Sequence, residues 1–277
     1  MTVVLASSLP EALTALHELP GSLALAGGTD LVVAMNAHTV HPSSLVTLRR
    51  VPELRGVRVG VSAIGYGALT TYTQLLTAGT PLLRAVGAAV GSPASRNAGT
   101  IGGALGTASA TGDVWTALMA AGAQVQLASA LRGTRRCDVH ELALARDELI
   151  TGVLVPVPAG PQVYLKVGQR QAAVGATVAC AFTVDSARAT VRIALAGVGS
   201  TPQRALAAEA FVRDELRWVG GLPAVNEGSC RRVGELTAAV LAPFEHARAS
   251  PAYRRHAAAV LAARALGRVA RYASVAA

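Results

Sequence analysis

Between residues 22 and 31 the sequence reads SLALAGGTDL, in which a glycine pair separates an apolar segment from a helical pattern. Ser22–Ala26 is short and apolar, as expected of a buried strand, and Leu31–Asn36 resumes a helical run. Gly27 and Gly28 allow a close approach of the backbone, and the N–H groups that begin a helix have no partner within it. Such a loop can bind a phosphate group, although a glycine pair taken alone is most often a plain tight turn.

The flanking segments extend this unit into a small sheet. Apolar residues at helical spacing predict a helix over Leu9–Leu19, which Pro20-Gly21 ends, and Leu45–Leu48 is a second candidate strand. The resulting order of strand, loop, helix and strand is typical of a small parallel sheet. Farther along, residues 57–61 and 63–65 alternate as in a hairpin.

A second glycine pair lies about 70 residues beyond the first, in the segment Asn97-Ala98-Gly99-Thr100-Ile101-Gly102-Gly103-Ala104. It belongs to a stretch rich in Gly, Ser, Thr, Ala and Asn, residues 91–112, which we predict to be a loop. Two such loops suit a dinucleotide, because a dinucleotide carries two phosphates. Neither loop matches G-x-G-x-x-G or the P-loop pattern, so neither a standard Rossmann site nor a P-loop is expected.

The rest of the chain predicts further helices and strands with one proline-rich boundary, PVPAGP, at residues 156–161. Asp113 is expected to cap a helix over residues 114–121. The other helices are predicted over residues 71–76, 82–90, 205–219, 230–241 and 253–271, and the other strands over residues 125–128, 148–156, 163–167, 177–184 and 189–195.

The composition indicates a globular protein of two domains. The 277 residues are 52% hydrophobic and 15% charged, which is enough to bury a sizeable core. The net charge is +9, but the arginines are scattered and aromatic residues make up only 4%, so a solvated surface is favoured over a nucleic-acid face. An acidic protein partner is compatible with this charge.

Cysteine and histidine usage excludes several kinds of site. Cys137, Cys180 and Cys230 are too few and too widely spaced for a disulfide framework, a metal site or an iron–sulfur cluster. The six histidines lack metal spacing, and no G-x-S-x-G elbow or Ser-His-Asp order occurs, so we predict no metal ligand and no catalytic side chain. The adjacent acid pairs Asp147-Glu148 and Asp214-Glu215 are predicted to lie on solvated faces.

The location is predicted from the termini and the hydropathy. The first residues carry no basic segment of the kind that begins a signal peptide, and no apolar run reaches the roughly 18 residues of a membrane span. An odd number of free thiols is usual in the cytosol. We therefore expect a soluble, cytoplasmic protein that does not interact with a membrane.

The two glycine loops, Ala26–Leu31 and Arg96–Gly103, resemble those of the FAD-binding medium subunit of the molybdenum hydroxylases, the relatives of carbon monoxide dehydrogenase and xanthine dehydrogenase. Further matches follow in the family's order over nearly the whole chain: residues 67–75 (GALTTYTQL), Asp113, residues 147–150 and 153–158, residues 164–170 (YLKVGQR), Gly197-Val198, Thr201-Pro202 and residues 253–256 (YRRH).

The resemblance implies an α+β protein of two domains. Residues 1–158 would form an FAD-binding domain of the vanillyl-alcohol-oxidase/peptidoglycan-reductase type, with subdomains at about 1–55 and 56–158. FAD would lie extended between these two subdomains. Residues 159–277 would form a small α+β carboxy-terminal flavoprotein domain with a three-stranded antiparallel sheet and helices.

By position, the resemblance also assigns the residues that contact FAD. The backbone of the first loop would hold the pyrophosphate, and the second loop would line the other side of the diphosphate and the ribityl chain. Asp113 would accept hydrogen bonds from sugar hydroxyls, Ile150 would pack on the flavin or the adenine, and Lys166, the sole lysine, would lie near the isoalloxazine. The loop residues assigned are Ala26, Gly27, Gly28, Thr29, Asp30, Leu31, Asn97, Thr100, Ile101, Gly102 and Gly103.

Taken alone, the three isolated residues have ordinary structural interpretations. Asp113 is equally well explained as a helix cap, Ile150 as a core residue and Lys166 as a solvated charge. The sequence also departs from the family's pattern: Ala104 follows the second glycine pair, where a polar residue is common, and Gln169, Gln171, Ala172 and Ala173 stand where the family often carries more arginine and an aromatic residue near the flavin.

Three functional hypotheses follow. The first is an electron-transfer subunit. A molybdopterin large subunit would oxidise the substrate, and this chain would take the electrons from the clusters of an iron–sulfur small subunit and pass them to an external acceptor. The second is a stand-alone FAD-dependent oxidase or dehydrogenase for a small organic substrate, suggested only by the altered residues Gln169 to Ala173. The third is a relative that has lost FAD and only binds protein.

Overall fold

The computed structural model describes residues 1–170, 175–239, 241–242 and 249–275. The helices are α1 (Leu9–Glu18), α2 (Leu31–Asn36), α3 (Tyr72–Ala78), α4 (Pro81–Ala89), α5 (Pro93–Ala98), α6 (Ile101–Gly106), α7 (Asp113–Ala121), α8 (Leu206–Glu215), α9 (Glu227–Ala239) and α10 (Pro251–Val275). The strands are β1 (Thr2–Leu5), β2 (Ser22–Leu25), β3 (Ser44–Thr47), β4 (Val57–Val59), β5 (Ala63–Gly67), β6 (Gln124–Ser129), β7 (Gly133–Asp138), β8 (Leu149–Pro156), β9 (Gln162–Val167), β10 (Val178–Asp185), β11 (Thr190–Ala196), β12 (Gln203–Arg204), β13 (Trp218–Val219) and β14 (Leu222–Pro223). In this described part of the chain no helix is long and apolar enough to cross a membrane.

The chain divides into two compact units. The first comprises residues 1–78, 91–107 and 123–156, and the second comprises residues 79–90, 108–122 and the described residues from Val157 onward. The second unit therefore takes α4 and α7 from the amino-terminal half of the chain.

The first unit contains two sheets. In the smaller sheet β1, β3 and β2 lie in that order and run parallel, with α1 packed on one face. The strand–loop–helix–strand prediction is confirmed here, and β1 is an additional edge strand. The larger sheet has the order β4-β5-β8-β6-β7 with all neighbours antiparallel, and it includes the predicted hairpin of β4 and β5. Its edge strand β7 is mostly exposed and polar, so it lacks the apolar alternation that predicts a strand.

The predicted loop over residues 91–112 is wrong in part, because it contains two short helices. Hydroxyl side chains cap both of them: Ser92 accepts a hydrogen bond from the Ser95 amide before α5, and Thr100 accepts one from the Gly103 amide before α6. These caps satisfy amides that would otherwise have no partner, which allows helices in a sequence of low helix propensity.

The second unit is built on an antiparallel sheet in the order β12-β11-β10-β9. The three predicted strands are present, and the two-residue β12 adds a fourth. Helices α4 and α7 contact this sheet, as do α8 and α10, and α9 packs against α8 and α10. The core is made chiefly of small and branched apolar side chains from β10, β11 and α10, in keeping with the scarcity of aromatic residues.

Two local predictions in the second unit need correction. The helix predicted over residues 205–219 ends at Glu215, because Trp218 and Val219 pair with Leu222 and Pro223 in a short hairpin. Asp113 is not the N-cap of α7: Gly112 occupies that position, and Asp113 is the first helical residue, with its side chain buried.

Candidate functional site

A cavity of about 540 Å³ lies in the first unit, along β2 and the loop that follows it. This volume is within the range of about 300–1,000 Å³ that is usual for small-molecule and cofactor sites. The walls come from the first glycine loop, from α6, from the segment before β8 and from apolar side chains of the core. Most of the predicted site residues line it: Ala26, Gly27, Gly28, Thr29, Asp30, Leu31, Thr100, Gly102, Gly103 and Ile150.

Gly27 lies against the second glycine loop. A Cβ atom built on Gly27 would lie 1.8 Å from the carbonyl oxygen of Ala98 and 3.1 Å from the amide nitrogen of Gly99. Any larger residue would therefore push the two loops apart. This contact gives a physical reason for glycine at this position, and it shows that two segments about 70 residues apart in sequence form one wall.

Gly28 has a different requirement. Its φ is +72°, in the left-handed region that β-branched residues strongly disfavour. A Cβ atom here would also lie 3.1 Å from the Cγ2 atom of Val32. This conformation turns the chain from β2 into α2 and exposes the backbone of the loop to the cavity.

The amides of the first loop are unoccupied donors. Within the described residues, the N–H groups of Gly27, Gly28, Thr29, Asp30 and Leu31 donate no hydrogen bond to another protein group, and the first amide of this region with an acceptor is that of Val32, which bonds the Gly28 carbonyl at 3.1 Å. Consecutive free amides beside a cavity form a binding site for an anion such as a diphosphate.

Three consecutive amides of the second loop are already used within the protein. The Ile101 amide donates to the Thr70 carbonyl at 2.9 Å, the Gly102 amide to the Ala68 carbonyl at 2.9 Å, and the Gly103 amide to the Thr100 hydroxyl at 3.1 Å. A Cβ atom on Gly102 would lie 2.7 Å from that of Ala68. The second loop thus contributes a close-packed wall, whereas the first loop contributes the free donors.

An ion pair holds a further part of the cavity wall, residues 144–148. The Arg135 guanidinium donates two hydrogen bonds to the Glu148 carboxylate, at 2.6 and 2.8 Å, and a third to the Ala143 carbonyl at 2.9 Å. The Ala145 amide adds another bond to Glu148 at 2.9 Å. Chiefly because of Arg135, the pKa of Glu148 falls to about 2. The cavity-lining Ile150 follows this fixed segment directly and is itself buried.

The prediction that Asp147 and Glu148 form a solvated face is therefore wrong. The Glu148 side chain is only 3% exposed, and Asp147 accepts a hydrogen bond from the Ser129 hydroxyl at 2.6 Å and pairs with Arg132. The hydrogen bonds to Ser129 and to the backbone, together with the charge of Arg132, lower the pKa of Asp147. The partners lie on or beside the β6–β7 hairpin, which the sequence pattern did not predict.

Two second-loop residues do not line the cavity. Asn97 is exposed, and its Oδ1 atom accepts a hydrogen bond from the Thr73 hydroxyl at 2.6 Å. Ile101 is fully buried in the core of the first unit. Both residues support the loop, and neither side chain faces the space beside the first glycine pair.

Asp113 and Lys166 are brought together in the second unit. The Lys166 Nζ atom lies 3.5 Å from the Asp113 carboxylate and donates to the Ala89 carbonyl at 2.7 Å. The Tyr164 hydroxyl donates to the other carboxylate oxygen of Asp113. Lys166 is only 11% exposed and is thus not a solvated charge. Burial raises the pKa of Asp113, while Lys166 and Tyr164 act in the opposite direction.

Tyr164 was not anticipated as part of this cluster. Burial, and secondarily the neighbouring Asp113 carboxylate, raise the pKa of Tyr164 well above its usual value, so its hydroxyl stays a donor. The signal available in the sequence was the alternation on β9, which places Tyr164 and Lys166 on the same face of the strand.

The described residues offer no alternative metal or nucleophile centre. No group of three or more His, Cys, Asp or Glu side chains among them could hold a metal ion. Cys180 is buried, and burial raises the pKa of its thiol to about 12, so it is an inert core residue. The chemistry of the cavity is therefore that of a binding site with free amides, hydroxyls and apolar walls.

These features fit FAD. The free amides of residues 27–31 match its diphosphate, the absence of side chains at Gly27 and Gly28 permits close approach, and the apolar walls beside Leu25, Leu69 and Ile150 suit its rings.

Comparison with known proteins leads to the same cofactor. Residues 1–158 match the family model described as the FAD binding domain in molybdopterin dehydrogenase, and residues 163–269 match the CO dehydrogenase flavoprotein C-terminal domain. The nicotinate dehydrogenase FAD-subunit of Eubacterium barkeri is 35% identical over 169 residues, which are 54% of this chain and 56% of that protein. The glyceraldehyde dehydrogenase medium chain of Sulfolobus acidocaldarius is 29% identical over 96% of this chain and 97% of that protein.

A solved structure has the same fold along almost all of its chain. Carbon monoxide dehydrogenase from Hydrogenophaga pseudoflava, in the form that lacks the Mo-pyranopterin moiety of the molybdenum cofactor, superposes with a TM-score of 0.89 at 26% sequence identity, covering 97% of this chain and 96% of that chain. The family matches span nearly the whole sequence and confirm the resemblance found in the glycine loops. The chain belongs to the family of FAD-binding subunits of the molybdenum hydroxylases, and FAD is its cofactor.

Proposed function

We propose that the chain is the electron-transfer flavoprotein subunit of a cytoplasmic molybdenum hydroxylase complex. The observation that carries this proposal is the row of free amides at residues 27–31, on a cavity whose shape depends on two glycine loops. When bound, FAD would supply reversible one- and two-electron transfer. The role of the protein is then to bind and orient the cofactor.

The chain's own residues divide this work. The amides of the first loop hold the diphosphate without a lysine, Gly27 and Gly28 keep the loop free of side chains, and Ile150 offers an apolar surface to a ring of the cofactor. The bonds from Arg135 to Glu148 hold the segment before Ile150 in place. None of these residues acts as an acid or a base in the proposal.

The second cluster is proposed to serve the sugar and the flavin. A carboxylate has about four lone-pair sites, so Asp113 can accept from a ribityl or ribose hydroxyl while it keeps its bonds to Tyr164 and Lys166. Lys166 is proposed to place a positive charge near the isoalloxazine, where it would favour the anionic reduced form.

We expect purified Asp113→Ala protein to contain less flavin than the wild type. Full flavin retention would remove Asp113 from the site.

The source of electrons is proposed to lie outside this chain. None of its three cysteines forms a C-x-x-C pair that could bind an iron–sulfur cluster. In the proposal, the clusters lie in an iron–sulfur small subunit, and a molybdopterin large subunit oxidises the substrate. No described feature favours the alternative of a stand-alone oxidase. That alternative rested on residues 169–173, of which Gln171, Ala172 and Ala173 lie outside the described part of the chain.

The test is purification from the native host, followed by a visible spectrum and mass spectrometry of the co-purifying chains. We expect flavin bands together with iron–sulfur absorbance and two further subunits. Flavin bands on a chain that remains alone would favour the stand-alone oxidase. A colourless chain that takes up no added FAD would refute both and leave a protein-binding role.

A further inference from the structure

Arg146 is a charged residue of the cavity wall whose guanidinium has no partner among the described residues. It lines the 540 Å³ cavity and also a second cavity of about 360 Å³, which shares Leu16 with the first. Its side chain is exposed, and within the described residues its guanidinium makes no hydrogen bond and no ion pair. The chain therefore holds an available planar cation at the edge of its cofactor site.

The acidic neighbours of Arg146 are already neutralised. Asp147 is paired with Arg132 and accepts from Ser129, and Glu148 is paired with Arg135 through two hydrogen bonds. An arginine next to two carboxylates in the sequence would ordinarily form an ion pair with one of them. Here other arginines occupy both, so the guanidinium of Arg146 is left for a group that enters the cavity.

The position of Arg146 separates it from the diphosphate loop. Its Nη2 atom lies 3.9 Å from the point where a Cβ atom on Gly21 would be, just before β2 begins. The free amides lie beyond the other end of β2. Four strand residues at about 3.3 Å each put roughly 13 Å between these two ends. A diphosphate seated on the loop amides is therefore out of reach, and the guanidinium faces a more distant part of the nucleotide.

We propose that Arg146 stacks its guanidinium on a planar nitrogen heterocycle at one end of FAD and thereby anchors that end of the cofactor. The proposal rests on the function proposed above. A guanidinium is flat, weakly hydrated and suited to stacking on aromatic faces. The apolar residues at this end of the cavity, Leu16 and Leu23, suit a ring better than a phosphate. FAD carries two such rings, and adenine and isoalloxazine can be distinguished by experiment.

The experiment measures the affinity of the deflavinated full-length chain for FAD, ADP and FMN by titration calorimetry. Arg146→Ala is expected to raise the Kd for FAD by about 3-fold to 30-fold, the range of cation–π contacts at exposed and desolvated sites. If the affinity for ADP falls in parallel and the affinity for FMN is unchanged, the stacked ring is adenine. If the affinity for FMN falls and that for ADP is unchanged, the ring is isoalloxazine.

Two variants separate stacking from a general effect of removing an exposed arginine and from a purely electrostatic contact. Arg136→Ala removes an exposed arginine of β7 that makes no bond among the described residues, and its Kd should equal that of the wild type. Arg146→Lys keeps the charge without the planar face and should recover only a small part of the affinity.

Two results would overturn the proposal. One is a wild-type Kd for FAD in Arg146→Ala, and the other is full recovery by Arg146→Lys with a strong salt dependence, which would indicate a point-charge contact. A wild-type chain that binds no FAD would instead refute the proposed function itself. If the deflavinated chain does not stay folded, the rate of FAD release from loaded protein, followed by flavin fluorescence, gives the same comparison.

Discussion

The carbonyl oxygen of Ala98 occupies the space where a side chain on Gly27 would begin. Backbone atoms cannot move aside as a flexible side chain does, so this position tolerates only hydrogen in place of a Cβ atom. The free amides that we assign to the diphosphate begin at the same residue. We therefore expect both the packing of the loops and the binding of the cofactor to depend on this glycine.

Gly27→Ala is expected to separate the two loops and to lower both stability and flavin content. Overpacking in a close-packed region costs about 1–3 kcal/mol, and a clash with backbone belongs at the upper end of that range. Urea unfolding and the ratio of flavin to protein measure the two effects. Gly267→Ala, in α10 and away from the cavity, is the control, because a Cβ atom on Gly267 meets only the Cys230 sulfur at 3.6 Å, an ordinary contact. Equal flavin content in the two variants would contradict this account of the loop contact.

At the scale of secondary-structure elements, the charge of Glu148 helps to hold the part of the cavity wall that precedes β8. The pKa of Glu148 is about 2, below its ordinary value of 4.5, because Arg135 stabilises the carboxylate. Its contribution to stability is therefore present above pH 4.5 and is lost as the pH falls toward 2.

Glu148→Gln should lower the free energy of unfolding by about 1–2 kcal/mol at neutral pH, a value reduced from that of a buried pair because Arg135 is 42% exposed. The difference from the wild type should shrink as the pH falls from about 5 toward 2, because the carboxylate of the unfolded chain, with its ordinary pKa of 4.5, takes up protons while the folded Glu148 stays ionised. Denaturant unfolding at several pH values gives both quantities. Glu18→Gln, on the exposed end of α1, is the control. A pH-independent difference would show that the charge is not the cause.

Helix α10 is joined to the sheet of the second unit by a buried arginine. Arg254 is 1% exposed and donates to the Thr177 carbonyl at 2.6 Å and to the Gly197 carbonyl at 3.2 Å. Gly197 has a φ of +77°, and a Cβ atom there would lie 2.1 Å from the Thr177 carbonyl oxygen. The two carbonyls accept the hydrogen bonds from Arg254 where the strands end.

Arg254→Met keeps the apolar length of the side chain but leaves these carbonyls without their charged donor. We expect a loss of about 2–4 kcal/mol, because buried carbonyls then lack a partner. Arg268→Met, on an exposed position of the same helix, should change stability by less than about 0.5 kcal/mol. Thermal and urea unfolding compare the stabilities of the two variants. Equal stability would mean that water molecules donate hydrogen bonds to the two carbonyls in place of Arg254.

At the scale of the whole molecule, FAD should stabilise the folded chain by mass action. Free FAD at 100 times its Kd adds about 2.7 kcal/mol, so Tm should rise with FAD concentration. Gly28→Val should abolish this rise, because valine at a φ of +72° strains the loop and occupies the space of the diphosphate.

Gly133→Val is the control for backbone strain alone. Gly133 has a similar φ of +67°, and a Cβ atom there meets nothing within 4 Å, so its variant should have a lower Tm but an unchanged FAD-dependent rise. A Gly28→Val protein that is loaded stoichiometrically with flavin would refute the assignment of the first loop.

Local sequence signals were enough for the features that depend on neighbouring residues. The strand–glycine–helix order at residues 22–31 predicted the parallel unit, and the ordered motifs identified the family and its cofactor. Periodicity located most helices and strands, because side-chain spacing follows directly from backbone geometry. It failed at α5, α6 and β7, where caps or an exposed edge replace an apolar pattern.

The sequence by itself determined the glycine loops, the absence of cluster-binding cysteine pairs and the family, since these are properties of short segments and of their order. Only the tertiary structure decided which partners the charged residues contact: Arg135 for Glu148, Tyr164 and Lys166 for Asp113, and, within the described ranges, none for Arg146. It also decided that, in the part of the chain the structure describes, five consecutive amides of the first loop are free, whereas the amides of Ile101, Gly102 and Gly103 are used within the protein. The physical reason is that such partners are distant in sequence, and close packing of strands and helices alone brings them within hydrogen-bonding distance.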